Sequence, residues 1–160
     1  MKPEDTARVI IDRMLEEAGW KVVNRDHYAP NQSAVAVREA LMKGNKEADY
    51  LLFLNGKAVG ILEAKRVEID VNSEFVQEQA VLYTRSCPSW CQAWFPKIPL
   101  PIAYVANSKD LMFYDTRKSN SEFEYHKRIH TPKEISKLLG LEDEYVGLQS
   151  LSSKGLRTCQ

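Results

Sequence analysis

Two apolar runs separated by an Asn-Gly dipeptide constrain the fold of this 160-residue chain more than any other feature of its sequence. The runs cover residues 48–54 and 58–65, and Asn55-Gly56 lies between them. Asn-Gly between such runs predicts a β-hairpin, and strands that are apolar along their whole length predict a sheet covered on both faces. The hairpin is therefore expected in the interior of the protein.

Helical and strand patterns alternate along the rest of the chain. Apolar residues at helical spacing and capping residues predict helices over 6–18, over about 74–86, and from Thr131-Pro132 to Gly140. Further strands are predicted over 20–23, 34–38, 102–107 and 111–115. Four prolines in residues 87–101 predict an ordered loop. Because helices and strands interleave, we predict the α/β class with a mostly buried sheet.

Composition excludes some classes of protein. Lys+Arg and Asp+Glu number 22 each, so the net charge argues neither for nor against nucleic acid, and any basic surface must be local. No run approaches the roughly 18 apolar residues of a membrane span. Cys87, Cys91 and Cys159 are odd in number and lack a second Cys/His pair for zinc, which predicts a reduced, cytoplasmic protein.

Three charged side chains stand at the open end of the predicted hairpin. Asp49 begins the first strand, and Glu63 and Lys65 end the second. Charged side chains are rarely buried without a partner, so the three groups predict an ion-pair cluster, a metal site or a catalytic centre. Glu63 and Lys65 share one face of their strand because side chains alternate.

The hairpin register decides whether Asp49 joins that face. A two-residue turn at Asn55-Gly56 would place Asp49 opposite Leu62, on the wrong face. A three-residue loop that ends with Gly56 in the left-handed conformation would place Asp49 opposite Ile61, on the same face as the other two groups. We therefore predict a three-residue loop or a β-bulge.

Two carboxylates at close range favour a divalent cation between them, since repulsion otherwise raises the pKa of one. Mg²⁺ prefers oxygen ligands, takes one or two carboxylates and keeps several waters, and the carbonyl of Ala64 could add an oxygen. Such an ion can activate water and stabilise charge on a phosphoryl oxygen. Lys65 could orient or deprotonate the water, or neutralise developing charge. The set favours phosphodiester hydrolysis.

Known motifs match these residues. Asp49 followed by Glu63-Ala64-Lys65 resembles the PD-(D/E)xK signature of restriction endonucleases, with Ala48 in the place of the usual proline. Gln79-Ala-Val-Leu-Tyr83 resembles the QxxxY element of the nuclease branch that includes recombination-type exonucleases. On a helix, Gln79 and Tyr83 share a face.

The wider sequence is similar to the N-terminal nuclease domain of type I restriction enzyme R subunits. The similar segments are 48–66, 99–107 and 130–134, and the resemblance covers roughly residues 6–145. It implies a restriction-endonuclease-like α/β core, with a mixed central β-sheet flanked by α-helices. It also implies Mg²⁺-dependent cleavage of double-stranded DNA, coupled in the full protein to ATP-driven translocation.

The resemblance further implies roles and partners. Asp49, Glu63 and the carbonyl of Ala64 would bind Mg²⁺, and Lys65 would complete the catalytic set. Gln79 and Tyr83 would steady the site or the DNA backbone. The R subunit would assemble with methyltransferase (M) and specificity (S) subunits.

The C-terminal residues predict a second unit. Gly155–Gln160 resembles the start of a helicase motor, so we predict a nuclease domain over 1–148 and a linker with the start of a truncated motor over 149–160. The sequence contains no GxxxxGK[ST] phosphate loop, so ATP is expected to act only in the full-length protein.

Some residues allow two interpretations. Three basic side chains either contact DNA phosphates or are simply exposed: Lys43, Lys46 and Arg66. Glu39 is either a further metal ligand or a solvated charge. Trp90 and Trp94 are core or docking aromatics, or they stack on bases.

Three alternatives to the type I assignment stay open. The chain could be another nuclease of the same fold, either helicase-linked or methylation-directed. It could be a non-catalytic, nuclease-derived module that docks partners or DNA. It could also be a structural interaction domain with an accidental motif, since the spacing of Asp49, Glu63 and Lys65 is a weak pattern by itself.

Overall fold

The structure, a computed structural model, describes residues 3–95, 99–118 and 122–141. Within these ranges the chain forms three helices: α1 (Pro3–Ala18), α2 (Glu74–Thr84) and α3 (Pro132–Leu138). Eight strands form one sheet: β1 (Lys21–Asn24), β2 (Ala34–Met42), β3 (Lys46–Leu54), β4 (Lys57–Ala64), β5 (Gln92–Ala93), β6 (Ile102–Ala106), β7 (Leu111–Asp115) and β8 (Glu124–His126). A 3₁₀ turn (Arg25–His27) follows β1.

The sheet is mixed, and helices lie on both of its faces. The strand order is β1-β2-β3-β4-β6-β7-β8, and the short β5 pairs with β4. β1 runs parallel to β2, and β4 runs parallel to β5 and β6, whereas the other neighbouring pairs are antiparallel. The predicted α/β class, with a mixed central sheet flanked by helices, is confirmed.

The core consists of two clusters separated by the sheet. Ile11 and Leu15 of α1 pack with Leu62 on one face, which we call the α1 face. Val76 of α2 packs with Ile61 on the opposite face, the α2 face. Each such side chain contributes about 1.5–3 kcal/mol when fully buried. Because successive residues of β4 serve different clusters, the strand is apolar along its length.

The β3–β4 hairpin closes through a two-residue turn. Leu54 pairs with Lys57, and Asn55 and Gly56 both have positive φ, 50° and 81°, as a type I′ turn requires. Asparagine tolerates this conformation better than most residues, and a Cβ on Gly56 would lie 2.7 Å from the Pro30 carbonyl oxygen. The predicted three-residue loop is wrong.

A β-bulge then restores the register that the two-residue turn alone would have lost. One additional residue of β4 lies opposite β3 just beyond the turn. Tyr50 therefore pairs with Leu62, and the next residues in register are Asp49 and Glu63. The predicted bulge is confirmed, but the predicted position of Asp49 opposite Ile61 is wrong.

A second irregularity lies at Glu39, which has a φ of 52° within β2. Tyr50 packs on the α1 face, whereas Ala40 and Ala48 pack on the α2 face. Residues an even number apart in a strand normally share a face, so the alternation shifts by one residue at the level of Glu39 and Asp49. The residues of β2 and β3 beyond this level therefore present the opposite alternation of side chains to the two faces of the sheet.

The remaining predictions have mixed outcomes. The last predicted helix is observed as α3, with a capping box in which the Thr131 hydroxyl accepts from the Glu134 amide. Strand β8 was not predicted, because its three residues are mostly exposed and polar. No helix in the described ranges has the length and apolar character that a membrane span needs. The predicted domain boundary after residue 148 and the motor-like segment 149–160 lie outside the described residues.

Candidate active-site cleft

Most of the predicted site residues meet in one cleft of about 560 Å³ at the C-terminal end of β4. Its lining includes six predicted site residues: Asp49, Glu63, Ala64, Lys65, Gln79 and Tyr83. Arg66 also lines the cleft, and its guanidinium lies 3.9 Å from the Glu68 carboxylate. Three other candidates do not line it: Glu39, Lys43 and Lys46. Lys43 and Lys46 flank the turn that joins β2 to β3.

The side chains of Asp49 and Glu63 each accept a hydrogen bond from the main chain of the other residue's strand. The Asp49 amide donates to Glu63 Oε2 at 3.0 Å, and the Ala64 amide donates to Asp49 Oδ2 at 2.8 Å. The two carboxylates are therefore held side by side by main-chain groups, not only by side-chain packing.

Glu63 is the most deeply buried of the charged site residues, with 4% of its surface exposed. Burial, together with the neighbouring Asp49 carboxylate, raises the pKa of Glu63 to about 8. The Asp49 amide and the Lys65 ammonium oppose this rise without cancelling it. A carboxyl group in this state readily exchanges its proton for a bound cation.

Lys65 is anchored at both its main chain and its side chain. Its amide donates to the Ala106 carbonyl of β6 at 2.7 Å, and its Nζ donates to Gln79 Oε1 at 3.3 Å. One helical turn beyond Gln79, Tyr83 lines the same cleft. Burial raises the pKa of the Tyr83 hydroxyl, with smaller contributions from Glu63 and Asp49.

Sequence reasoning missed Arg8, which reaches the cleft from α1. Its Nη2 lies 2.6 Å from Asp49 Oδ1, and its Nη1 lies 3.1 Å from Glu39 Oε1. Burial lowers the pKa of Arg8, but the Asp49 and Glu39 carboxylates outweigh that effect and raise it. No local pattern links α1 to the hairpin, so only the tertiary structure identifies this contact.

Glu47 is a second residue of the cleft that was given no role. It lies two residues before Asp49 in β3 and pairs with Arg25 at 3.1 Å. Its position in the same strand as Asp49 was the sequence signal that could have identified it. Glu39, the predicted extra ligand, is instead half-exposed, binds Arg8, and accepts a bond from Arg25 through its carbonyl oxygen.

The donor set fits a hard divalent cation. It comprises the two carboxylates of Asp49 and Glu63 with the main chain of Ala64 beside them. In the described part of the chain, no group of three or more His, Cys, Asp or Glu side chains is arranged to hold a metal. Two carboxylates with room for several waters are the kind of donor set that fits Mg²⁺.

The tryptophans pack and do not line the cleft. The Trp90 indole N–H donates to the Leu41 carbonyl at 2.7 Å, and its ring contacts Tyr28 and Phe53. Trp94 packs against both core clusters. These contacts favour the interpretation of Trp94 as a core aromatic, whereas Trp90 packs on its neighbours with 43% of its surface exposed.

Comparisons with known proteins agree with the architecture. Residues 24–98 match a family model described as the second domain of the type I restriction enzyme EcoKI endonuclease subunit. Among solved structures, a fragment of a candidate HsdR subunit of a type I restriction enzyme from Vibrio vulnificus YJ016 is similar, with a TM-score of 0.55 and 22% identity. The similarity covers 90% of this chain and 26% of that one. Among curated proteins no relative matches.

These matches confirm two predictions made from the sequence. The resemblance to the R subunits of type I restriction enzymes is confirmed by the family model over residues 24–98. The restriction-endonuclease-like fold is confirmed by the structural match. The chain spans about a quarter of that structure's length, 26%.

Proposed function

We propose that this chain is the nuclease domain of a type I restriction enzyme R subunit and hydrolyses phosphodiester bonds of double-stranded DNA with Mg²⁺. The observation that carries the proposal is the pair of main-chain bonds that hold Asp49 and Glu63 side by side, next to Lys65. The match to an endonuclease-subunit family supports the same reaction. The PD-(D/E)xK resemblance assigns the roles.

Asp49, Glu63 and the Ala64 carbonyl would hold Mg²⁺. When bound, the ion supplies an activated water and stabilises charge on a phosphoryl oxygen. The protein contributes the rigid placement of its ligands, because the Ala64 amide fixes Oδ2 of Asp49 and the Asp49 amide fixes Oε2 of Glu63. Such preorganisation reduces the rearrangement needed during the reaction.

Lys65 would orient or deprotonate the attacking water, or neutralise charge on the phosphate. Gln79 holds its Nζ at 3.3 Å, which limits the positions that the flexible side chain can occupy. Tyr83 would steady the site or the DNA backbone. Arg66, 51% exposed at its side chain on the cleft wall, would contact a DNA phosphate.

Other parts of the proposal concern the complete protein. The type I family implies that cleavage is coupled to ATP-driven translocation by a motor outside the described residues. It also implies assembly with M and S subunits in the cytoplasm.

The decisive experiment is Mg²⁺-dependent DNA cleavage by the assembled complex with Asp49→Ala and Lys65→Ala in the R subunit. We expect both variants to lose cleavage and to retain ATPase activity and translocation. The control is Asp26→Ala, which removes an exposed carboxylate outside the cleft. Unchanged cleavage by the two cleft variants would favour a non-catalytic docking module.

A further inference from the structure

We infer that Arg8 is a positioning residue that pairs with Asp49, competes with a divalent cation for it, and transfers to Glu39 when the cation binds. The inference rests on the proposed function, because it assumes that Asp49 is a metal ligand. It concerns a residue of α1 that lies outside the nuclease motif. It also assigns Glu39 a role other than ligation.

The contacts of Asp49 support the competition. Oδ2 accepts from the Ala64 amide at 2.8 Å, and Oδ1 lies 2.6 Å from Arg8 Nη2. A main-chain amide remains in place when a cation arrives, whereas a guanidinium on a side chain can rotate away. A cation on Oδ1 would also repel the positive charge of Arg8 at short range. The Arg8 contact is therefore the one that a cation on Oδ1 would weaken first.

The contacts of Glu39 provide the second position for Arg8. Nη1 of Arg8 lies 3.1 Å from Glu39 Oε1, so the guanidinium already bridges the two carboxylates. Arg8 can therefore leave Asp49 without losing every partner. Glu39 sits outside the cleft lining and is half-exposed, which places this second position away from the substrate.

The backbone of β2 favours this arrangement. Glu39 has a φ of 52°, a conformation that L residues adopt at a cost. The strained residue lies at the level of Asp49, between the register pairs Arg38–Tyr50 and Ala40–Ala48. Strain of this kind persists where the surrounding structure over-determines it. Here the strained residue is the one whose side chain contacts Arg8.

The test is Mn²⁺ binding to the 160-residue chain, with Mn²⁺ as a probe for Mg²⁺, measured by calorimetry and electron paramagnetic resonance. Arg8→Gln should bind Mn²⁺ about five- to tenfold more tightly, since a competing charge is gone. Glu39→Gln should bind it about three- to fivefold more weakly, because Arg8 then stays on Asp49. If Arg8 had only a structural role, Arg8→Gln would instead weaken Mn²⁺ binding and lower the stability of the chain.

A double variant separates positioning from direct ligation. If Glu39 acts through Arg8, Glu39→Gln should change Mn²⁺ affinity by less than about twofold in the Arg8→Gln background. If Glu39 were a ligand, its loss would weaken binding equally in both backgrounds. Arg13→Gln, on the exposed side of the same helix, is the matched control and should leave affinity unchanged.

The outcomes distinguish this inference from the proposed function. If the unsubstituted chain binds no Mn²⁺, the proposed metal site is wrong, and the inference falls with it. If the unsubstituted chain binds Mn²⁺ and Arg8→Gln binds it equally or less well, only the inference is overturned. Should Arg8→Gln fail to fold by circular dichroism, Arg8→Lys replaces it. Arg8→Lys keeps the positive charge but cannot bridge Asp49 and Glu39. In the Arg8→Lys background, Glu39→Gln should therefore change Mn²⁺ affinity by less than about twofold.

Discussion

The backbone amide of Asp49 donates a hydrogen bond to the carboxylate of Glu63 at 3.0 Å. This bond joins β3 and β4 at the point where their ladder of paired residues ends, since the last register pair on that side is Tyr50 with Leu62. The hydrogen bond to the Glu63 side chain thus continues the pairing of β3 with β4 by one bond beyond the last register pair. Any change at Glu63 therefore acts both on the cleft and on the end of the hairpin.

The pH dependence of stability should report the buried carboxyl of Glu63. Its pKa is raised from 4.5 to about 8 in the folded chain, so the folded state keeps a proton that the unfolded state loses. The contribution of Glu63 to stability should therefore be fully present below pH 4.5 and be lost as the pH rises to about 8. Glu63→Gln should remove this decline and raise the free energy of unfolding by about 4 kcal/mol at pH 8. Denaturant unfolding at pH 5 and pH 8 measures the free energy of unfolding of the unsubstituted chain and of Glu63→Gln. If both lost the same free energy between the two pH values, the decline could not be assigned to Glu63.

Mg²⁺ should bind more tightly as the pH rises. The Glu63 carboxyl must release its proton to ligate a cation, so affinity should increase about tenfold per pH unit between pH 6 and pH 8. The shift in melting temperature on adding Mg²⁺ should be larger at pH 8 than at pH 6. Glu63→Gln should show no shift at either pH. A shift that does not depend on pH would place the bound ion elsewhere.

Gln79→Ala should reduce DNA cleavage by the assembled complex about tenfold or more, because Lys65 loses the group that holds its Nζ. Melting temperature should change little, since Gln79 is half-exposed on α2. Glu78→Ala removes an exposed neighbour and serves as the control. Full cleavage by Gln79→Ala would mean that the Lys65–Gln79 bond has no part in the reaction.

Gly60→Ala should destabilise the chain by about 2–3 kcal/mol or prevent folding. A Cβ at this position would lie 2.6 Å from the Ile102 carbonyl oxygen, where β4 and β6 pair. Gly140→Ala is the comparison, because nothing lies within 4 Å of its added Cβ and only its φ of 74° opposes the change. Guanidinium unfolding compares the two variants, and equal stabilities would contradict the steric argument.

The hairpin and its charged end could be predicted from the sequence because the signals are local. Alternation of side chains showed that Asp49 reaches Glu63 only if the strand contains an irregularity. The kind of irregularity could not be predicted in full, since Asn55 and Gly56 suit a two-residue turn and the bulge lies further along β4. The pairing of Asp49 was therefore predicted two residues away from its observed position.

The long-range contacts of the site could not be predicted. Arg8 and Asp49 are 41 residues apart, and the sequence around Arg8 resembles any amphipathic helix. The left-handed backbone of Glu39 was equally hidden, because glutamate is not a residue that signals positive φ. The contact of Arg8 depends on how α1 lies across the sheet.

The position of β4 determines how the candidate centre responds to partial opening of the fold. β4 has β3 on one edge and β5 and β6 on the other, so neither edge is free to fray. Amide hydrogens of such a strand exchange only when the whole domain opens. We therefore expect the two residues that end it, Glu63 and Ala64, which pair with β6, to keep their geometry when peripheral elements such as β8 open. Heat or denaturant should abolish cation binding in the same cooperative step that melts the protein.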